Sequence, residues 1–238
     1  MKQFIKFILC LGLCQSGLSR IEAKNFFKQL TTVATWNPIK ATSKLITGAN
    51  PIIPTNIYDI KPGLFIDNFC VVEEGKFYRS AQLSASALDS YIKEHGIKTV
   101  INLRGEHPEE DWWRQEEETT RKNNVCYFNI ALAASKLTSK KNIQAILNIF
   151  DTAPKPMLVH CRAGVDRTGE VSALWVLDQQ HKRRSEALNQ LTIWHRHNQF
   201  AYPAKRFLIE IWQGRWWLEH EYNPANYPEF ETQNEEIA

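Results

Sequence analysis

Cysteine is scarce in this chain. Five in 238 residues, without the paired spacings that bind zinc, exclude a disulfide framework and argue against a structural metal site. Long apolar runs are missing beyond the first residues, which excludes a multi-span membrane protein. There is no heptad pattern and no internal repeat, and the composition is neither collagen-like nor that of a wholly disordered chain. What remains, 43% hydrophobic and 23% charged residues with a mean hydropathy of −0.40, suits a globular protein with one sizeable core or two small ones.

The exceptional apolar run is N-terminal. Lys2 and Lys6 precede Phe7–Cys14, and the small or polar residues Ser16, Gly17 and Ser19 follow. This order predicts a secretory signal peptide over 1–19, too short to span a membrane, and hence an exported protein, periplasmic or secreted. Leu11-Gly12-Leu13-Cys14 is a poor lipoprotein box because Leu13 is bulky. Cleavage after Ser19 removes two lysines and no acid, leaving 27 basic and 26 acidic residues and a net charge of +1 instead of +3. No general affinity for nucleic acid follows from that charge, and no stable membrane insertion is expected once the leader is gone. Three cysteines remain: Cys70, Cys126 and Cys161.

Residues 20–62, broken by Pro38, Pro51, Pro54 and Pro62, form an irregular lead-in. From Gly63 the patterns become regular. Leu64–Val72, a turn at Glu73–Lys76 and Phe77–Arg79 predict a hairpin. Ser84 caps a helix that Gly96 stops. Lys98–Leu103 reads as a buried strand, 108–122 as a helix whose charges match its dipole, and Val125–Ile130 as another strand. Ile143, Ile146, Leu147 and Phe150 recur at helical spacing. Met157–His160 is a strand, followed by helices over 168–181, 185–195 and 203–219. Strands alternating with helices predict one α/β domain over 63–220, with a central, mostly parallel sheet flanked by helices. The acidic, proline-containing tail over 221–238 is expected to be disordered. The seven acids between Glu106 and Glu118 form a solvated helix surface.

One segment carries chemistry: His160-Cys161-Arg162-Ala163-Gly164-Val165-Asp166-Arg167-Thr168-Gly169. A buried strand delivers a cysteine to a turn, and the turn opens a helix. Such a turn aims backbone N–H groups and the helix dipole at one point, beside the sulfur. Gly164 permits the curvature, and Arg167 can grip two phosphate oxygens with its planar fork. The same positive field depresses the thiol pKa and yields a nucleophilic thiolate. Thr168 can donate to the sulfur, and His160 can orient the loop.

These residues resemble the His-Cys-x5-Arg-Thr signature of the cysteine-dependent phosphatases, the protein tyrosine and dual-specificity superfamily. Phe77–Gln82 and Val100–Arg104 are similar to early segments of bacterial and fungal dual-specificity-like members, so the resemblance spans roughly 63–215. It implies a protein tyrosine phosphatase-like fold and a two-step reaction without metal or cofactor. Cys161 attacks phosphorus, a phosphocysteine forms, and water hydrolyses it. Arg167 binds phosphate and stabilises the transition state, Thr168 assists, and Arg162, Ala163, Gly164, Val165, Asp166 and Arg167 form the phosphate cradle.

The departure from the family pattern is the general acid. Its usual loop reads Ile130–Thr138 here and holds no carboxylate. Asp166 takes the role by resemblance to phosphoinositide-directed members, including the myotubularins, with Glu106 and Asp111 next. The competing assignment for Asp166 is structural. Lys136, Lys140, Lys141, Arg196 and His197 are expected to face the pocket, where they would favour an inositol polyphosphate or phosphoinositide over a phosphotyrosine protein. His195 and His197 stand at i, i+2 and do not make a metal site. Two further readings stay open: a catalytically silent phosphate-binding pseudophosphatase, and a rhodanese-type or arsenate-reducing enzyme, against which the Arg-Thr-Gly ending speaks.

Overall fold

Short strands rich in β-branched and aromatic residues build the sheet. In the computed structural model, which describes residues 67–230, the strands are β1 (Cys70–Glu73), β2 (Phe77–Ser80), β3 (Thr99–Asn102), β4 (Cys126–Asn129) and β5 (Met157–His160). Their order is β1-β2-β5-β3-β4. Only β1–β2 is antiparallel; β2–β5, β5–β3 and β3–β4 are parallel. The expected leader and lead-in over 1–62 lie outside the described residues.

The helices are α1 (Ala85–His95), α2 (Asp111–Lys122), α3 (Lys140–Thr152), α4 (Asp166–Asp178), α5 (Arg184–Ala187), α6 (Pro203–Ile211) and α7 (Arg215–His220). Ser84 accepts from the Ala87 amide at the start of α1, and Gly96, at φ 62°, ends it, as the caps predict. Ser139 caps α3 in the same way, accepting from the Asn142 amide.

Alternation along the strands divides the interior between the two faces of the sheet. Phe77, Ile101 and Val159 join α3, α4, α6 and α7 in the larger core, while Tyr78, Val100 and Leu158 join α1 in the smaller. Helix α4 is buried almost throughout, from Thr168 to Val176. It lies at the centre of the larger layer, so its N-terminus is held rigidly beneath the C-terminal end of β5.

Three expectations need correction. The helix expected over 185–195 is only α5, followed by 3₁₀ turns at Leu188–Leu191 and Ile193–His195. Gln190 explains the break: both its backbone and side-chain oxygens accept from Arg79 Nη1 at 2.9 Å. The helix expected over 203–219 is two, separated where Trp212 extends and Gly214 adopts φ 101°. The tail expected to be disordered from 221 is packed through Phe230. Tyr222 is buried with its hydroxyl donating to Thr138 O at 2.8 Å, and Phe207 meets Tyr227 edge-on and Phe230 at a tilt.

Candidate active site

β5 ends at His160, and Cys161–Val165 turn directly into α4. Four carbonyls of this loop are held from outside. Arg162 O accepts from Gln82 N at 3.3 Å. Ala163 O and Gly164 O both accept from Asn68 Nδ2 at 3.0 Å. Arg79 Nη2 donates to Gly164 O at 2.9 Å and to Val165 O at 3.4 Å. In a trans peptide, C=O and N–H point oppositely, so carbonyls anchored outward leave the following amides facing inward. Gly164 is needed for this curvature. It has φ +67°, and a Cβ there would lie 2.5 Å from Ser80 O and 2.6 Å from Ala81 N.

Cys161 sits at the focus. Burial pushes its thiol up, but the Arg167 charge, the Thr168 hydroxyl and the amides of Thr168 and Val165 outweigh that and bring it down to about 7. The Thr168 hydroxyl has no protein nitrogen or oxygen as partner, which leaves it for the sulfur. Arg167 Nη1 donates to Leu103 O and Leu132 O, both at 3.1 Å. Its Nε is buried without a partner. The carbonyls that follow β3 and β4 thus fix one edge of the guanidinium and leave the Nε donor for an oxyanion.

The structure brings Cys161, Arg167, Thr168 and the loop together as the sequence predicts. Asp166 goes elsewhere. It is buried with Oδ1 2.7 Å from His197 Nδ1, and Arg79 and Lys205 are within electrostatic reach. The Asp166 carboxylate is thus engaged by His197 within the interior. Of the cations expected to face the pocket, two have partners of their own. His197 is enclosed against Asp166, Arg196 is exposed in a left-handed turn, and Lys140 Nζ donates to Glu219 O at 3.2 Å. Glu106 and Asp111 are both exposed, and Asp111 pairs with Arg114.

Several site residues escaped the sequence reading. Arg79, fully buried, supports the loop from behind, and its burial, only partly offset by Cys70, Cys161 and Asp166, lowers its pKa to about 10. Glu116 reaches His160 Nε2 through Oε1 at 2.5 Å and accepts from Gln82 Nε2 through Oε2. Gln82 Oε1 in turn accepts from Arg104 Nη1 at 3.1 Å. An arginine in the middle of a short apolar strand was the available signal for Arg79. Nothing in the acidic run distinguished Glu116 from its solvated neighbours.

Among known proteins, the family model described as a DSP-PTPase phosphatase fused to NAD+ kinase matches residues 65–204. The chain belongs to this family. Its domain is a dual-specificity, tyrosine-phosphatase-type cysteine phosphatase domain, a phosphomonoester hydrolase. The rice (Oryza sativa subsp. japonica) protein named probable NAD kinase 2, chloroplastic, is 26% identical over 117 residues, 48% of this chain but only 12% of that protein. The solved P. aeruginosa TpbA, in complex with pTyr, superposes with a TM-score of 0.51 at 16% identity over 61% of this chain and 84% of its own. That likeness shows the phosphatase fold. The catalytic core of the S. cerevisiae PP-IP phosphatase SIW14 gives a TM-score of 0.48 at 18% identity over 62% of this chain and 86% of its own.

Proposed function

We propose that Cys161 is the nucleophile of a phosphatase acting through a phosphocysteine, on phosphotyrosine proteins or inositol-type phosphates. The observation that carries this reading is a buried thiol held at about 7 among inward-facing amides, beside the unpartnered Arg167 Nε. The thiolate attacks phosphorus as the bond to the leaving oxygen breaks. The loop amides and Arg167 hold the equatorial oxygens, where the charge of the loose transition state lies. Water then attacks the phosphocysteine, and Thr168 donates to the departing sulfur.

For the proton taken by the leaving oxygen, this reading favours Glu106 over Asp166. Glu106 is an exposed carboxylate two residues beyond Arg104, on the segment whose Leu103 carbonyl touches Arg167. Asp166 is enclosed by His197 and acts as a positioning residue.

Phosphate release by the full chain, measured with reductant and chelator present, tests the assignment. Cys161→Ser should abolish release, a loss of about a thousandfold or more, and chelator should have no effect. Glu106→Gln should slow alkyl phosphates by roughly ten- to a hundredfold and para-nitrophenyl phosphate much less, because only the poor leaving group needs a proton. Asp166→Asn should slow both alike. A leaving-group-dependent loss in Asp166→Asn would return the acid to that residue. Binding without release from any substrate would make the protein a pseudophosphatase.

A further inference from the structure

Arg104 occupies an unusual position for a cation. Its amide donates to Asn102 Oδ1 at 2.9 Å, which fixes the backbone just past β3. Its guanidinium lies 3.4 Å over the Trp112 ring and donates through Nη1 to Gln82 Oε1 at 3.1 Å. Gln82 is also the residue whose amide holds Arg162 O on the phosphate loop. The neighbouring Leu103 carbonyl is bound by Arg167. Arg104 is therefore held beside the cradle indirectly, through Gln82, which it bonds and which holds Arg162 O, and through its chain neighbour Leu103, whose carbonyl Arg167 binds.

The charges there do not balance. Burial, with the like charges of Arg167 and Arg162, lowers the Arg104 pKa to about 10, and Glu116 and the Cys161 thiolate oppose this only in part. Among the described residues no carboxylate lies within ion-pair distance of Arg104. Stacking on Trp112 and the bond to Gln82 hold the guanidinium in place, but neither neutralises its charge beside the other guanidiniums. The guanidinium is well placed to meet more anionic charge than one phosphoryl group carries.

We infer that Arg104, held by Gln82 and Trp112 at the rim of the Cys161 loop, forms a second phosphate subsite, and that the substrate is a small polyphosphate whose second phosphate lies next to the one removed. This rests on the phosphatase reading above and narrows its substrate class. The cation of the second subsite comes from the residues just past β3, beside the like charges of the loop.

Two measurements on the full chain test the subsite, and they separate its failure from that of the phosphatase reading. The first is kcat/KM for inositol hexakisphosphate, para-nitrophenyl phosphate and a doubly phosphorylated peptide, in wild type, Arg104→Met and Arg104→Lys. Arg104→Met should lose at least ten times more on the hexakisphosphate than on the aryl monophosphate, mainly through KM, and Arg104→Lys should recover part of it. Equal losses on the two, or a doubly phosphorylated peptide preferred over the hexakisphosphate, would overturn the inference while leaving the phosphatase intact. The second needs no turnover: calorimetric binding of inositol hexakisphosphate to Cys161→Ser, with and without Arg104→Met. Binding at least tenfold weaker in the double variant is expected even if no substrate is hydrolysed, and undiminished binding overturns the subsite. A thermal melt of each Arg104 variant checks that the fold survives.

Discussion

The sulfur of Cys161 lies under opposed influences: burial favours the neutral thiol, while the guanidinium of Arg167 and the donors of Thr168 and Val165 favour the thiolate. The second group prevails, so the folded thiol ionises near 7 while an unfolded one does so nearer 9. The rate of alkylation by iodoacetamide should therefore rise with pH to a plateau, with its midpoint near 7. Arg167→Met should move that midpoint upward; an unmoved midpoint would mean that the amides alone set it. The linkage has a definite sign. A depressed thiol pKa contributes stability that is fully present above the unfolded value and is lost as pH falls through the folded one. At this scale the sequence was informative where chemistry and backbone coincide, at Cys161, Gly164, Arg167 and Thr168. It missed the burial of Arg79 and Glu116 and left two roles open for Asp166, because whether an isolated charge faces pocket, core or solvent depends on partners more than thirty residues away.

Between elements, α4 and α6 are joined by a charge pair in the interior. Lys205 Nζ lies 3.1 Å from Glu170 Oε2 and donates to Thr138 Oγ1 at 2.8 Å, and Thr138 donates to the same carboxylate oxygen at 2.7 Å. Burial raises the Glu170 pKa and lowers that of Lys205, each against the attraction of the other. Removing one partner strands a buried charge. Lys205→Met should cost about 3–5 kcal/mol, and Lys205→Met with Glu170→Met should regain most of that. Urea denaturation of both variants measures it, and a double variant no more stable than the single would refute the coupling. Most element boundaries were legible because caps and apolar periodicity are local, as at Ser84 and Gly96 and along Ile143–Phe150. The 185–195 segment was not, because a long-range demand from Arg79 on Gln190 broke a helix that local propensity allows.

Across the molecule, the C-terminal segment closes the larger core. Trp217, Leu218 and Tyr222 are buried in it, and Tyr222 ties the Thr138 carbonyl beside Lys205. A chain ending at residue 221 should unfold at lower urea than the full chain, with a loss of about 3–5 kcal/mol, comparable to deleting a buried aromatic side chain. Equal midpoints would show that the segment lies on the domain without supporting it. Acidic composition and two prolines suggested a solvated tail, and composition averages away the three aromatic anchors that decide otherwise. The architecture itself was readable as soon as strands and helices alternated, since a parallel sheet needs helices on its faces.

The bond from Tyr222 to Thr138 also bears on how the protein is made. Synthesis runs from the N-terminus, so Cys161 leaves the ribosome well before Tyr222 does. Until Tyr222 emerges, the segment after β4 that presents Leu132 O to Arg167 is held at Thr138 by Glu170 and Lys205 alone. A nascent chain stalled short of Tyr222 should carry a Cys161 less reactive toward iodoacetamide than that of the finished domain, because one of the two carbonyls that orient Arg167 is then less firmly placed.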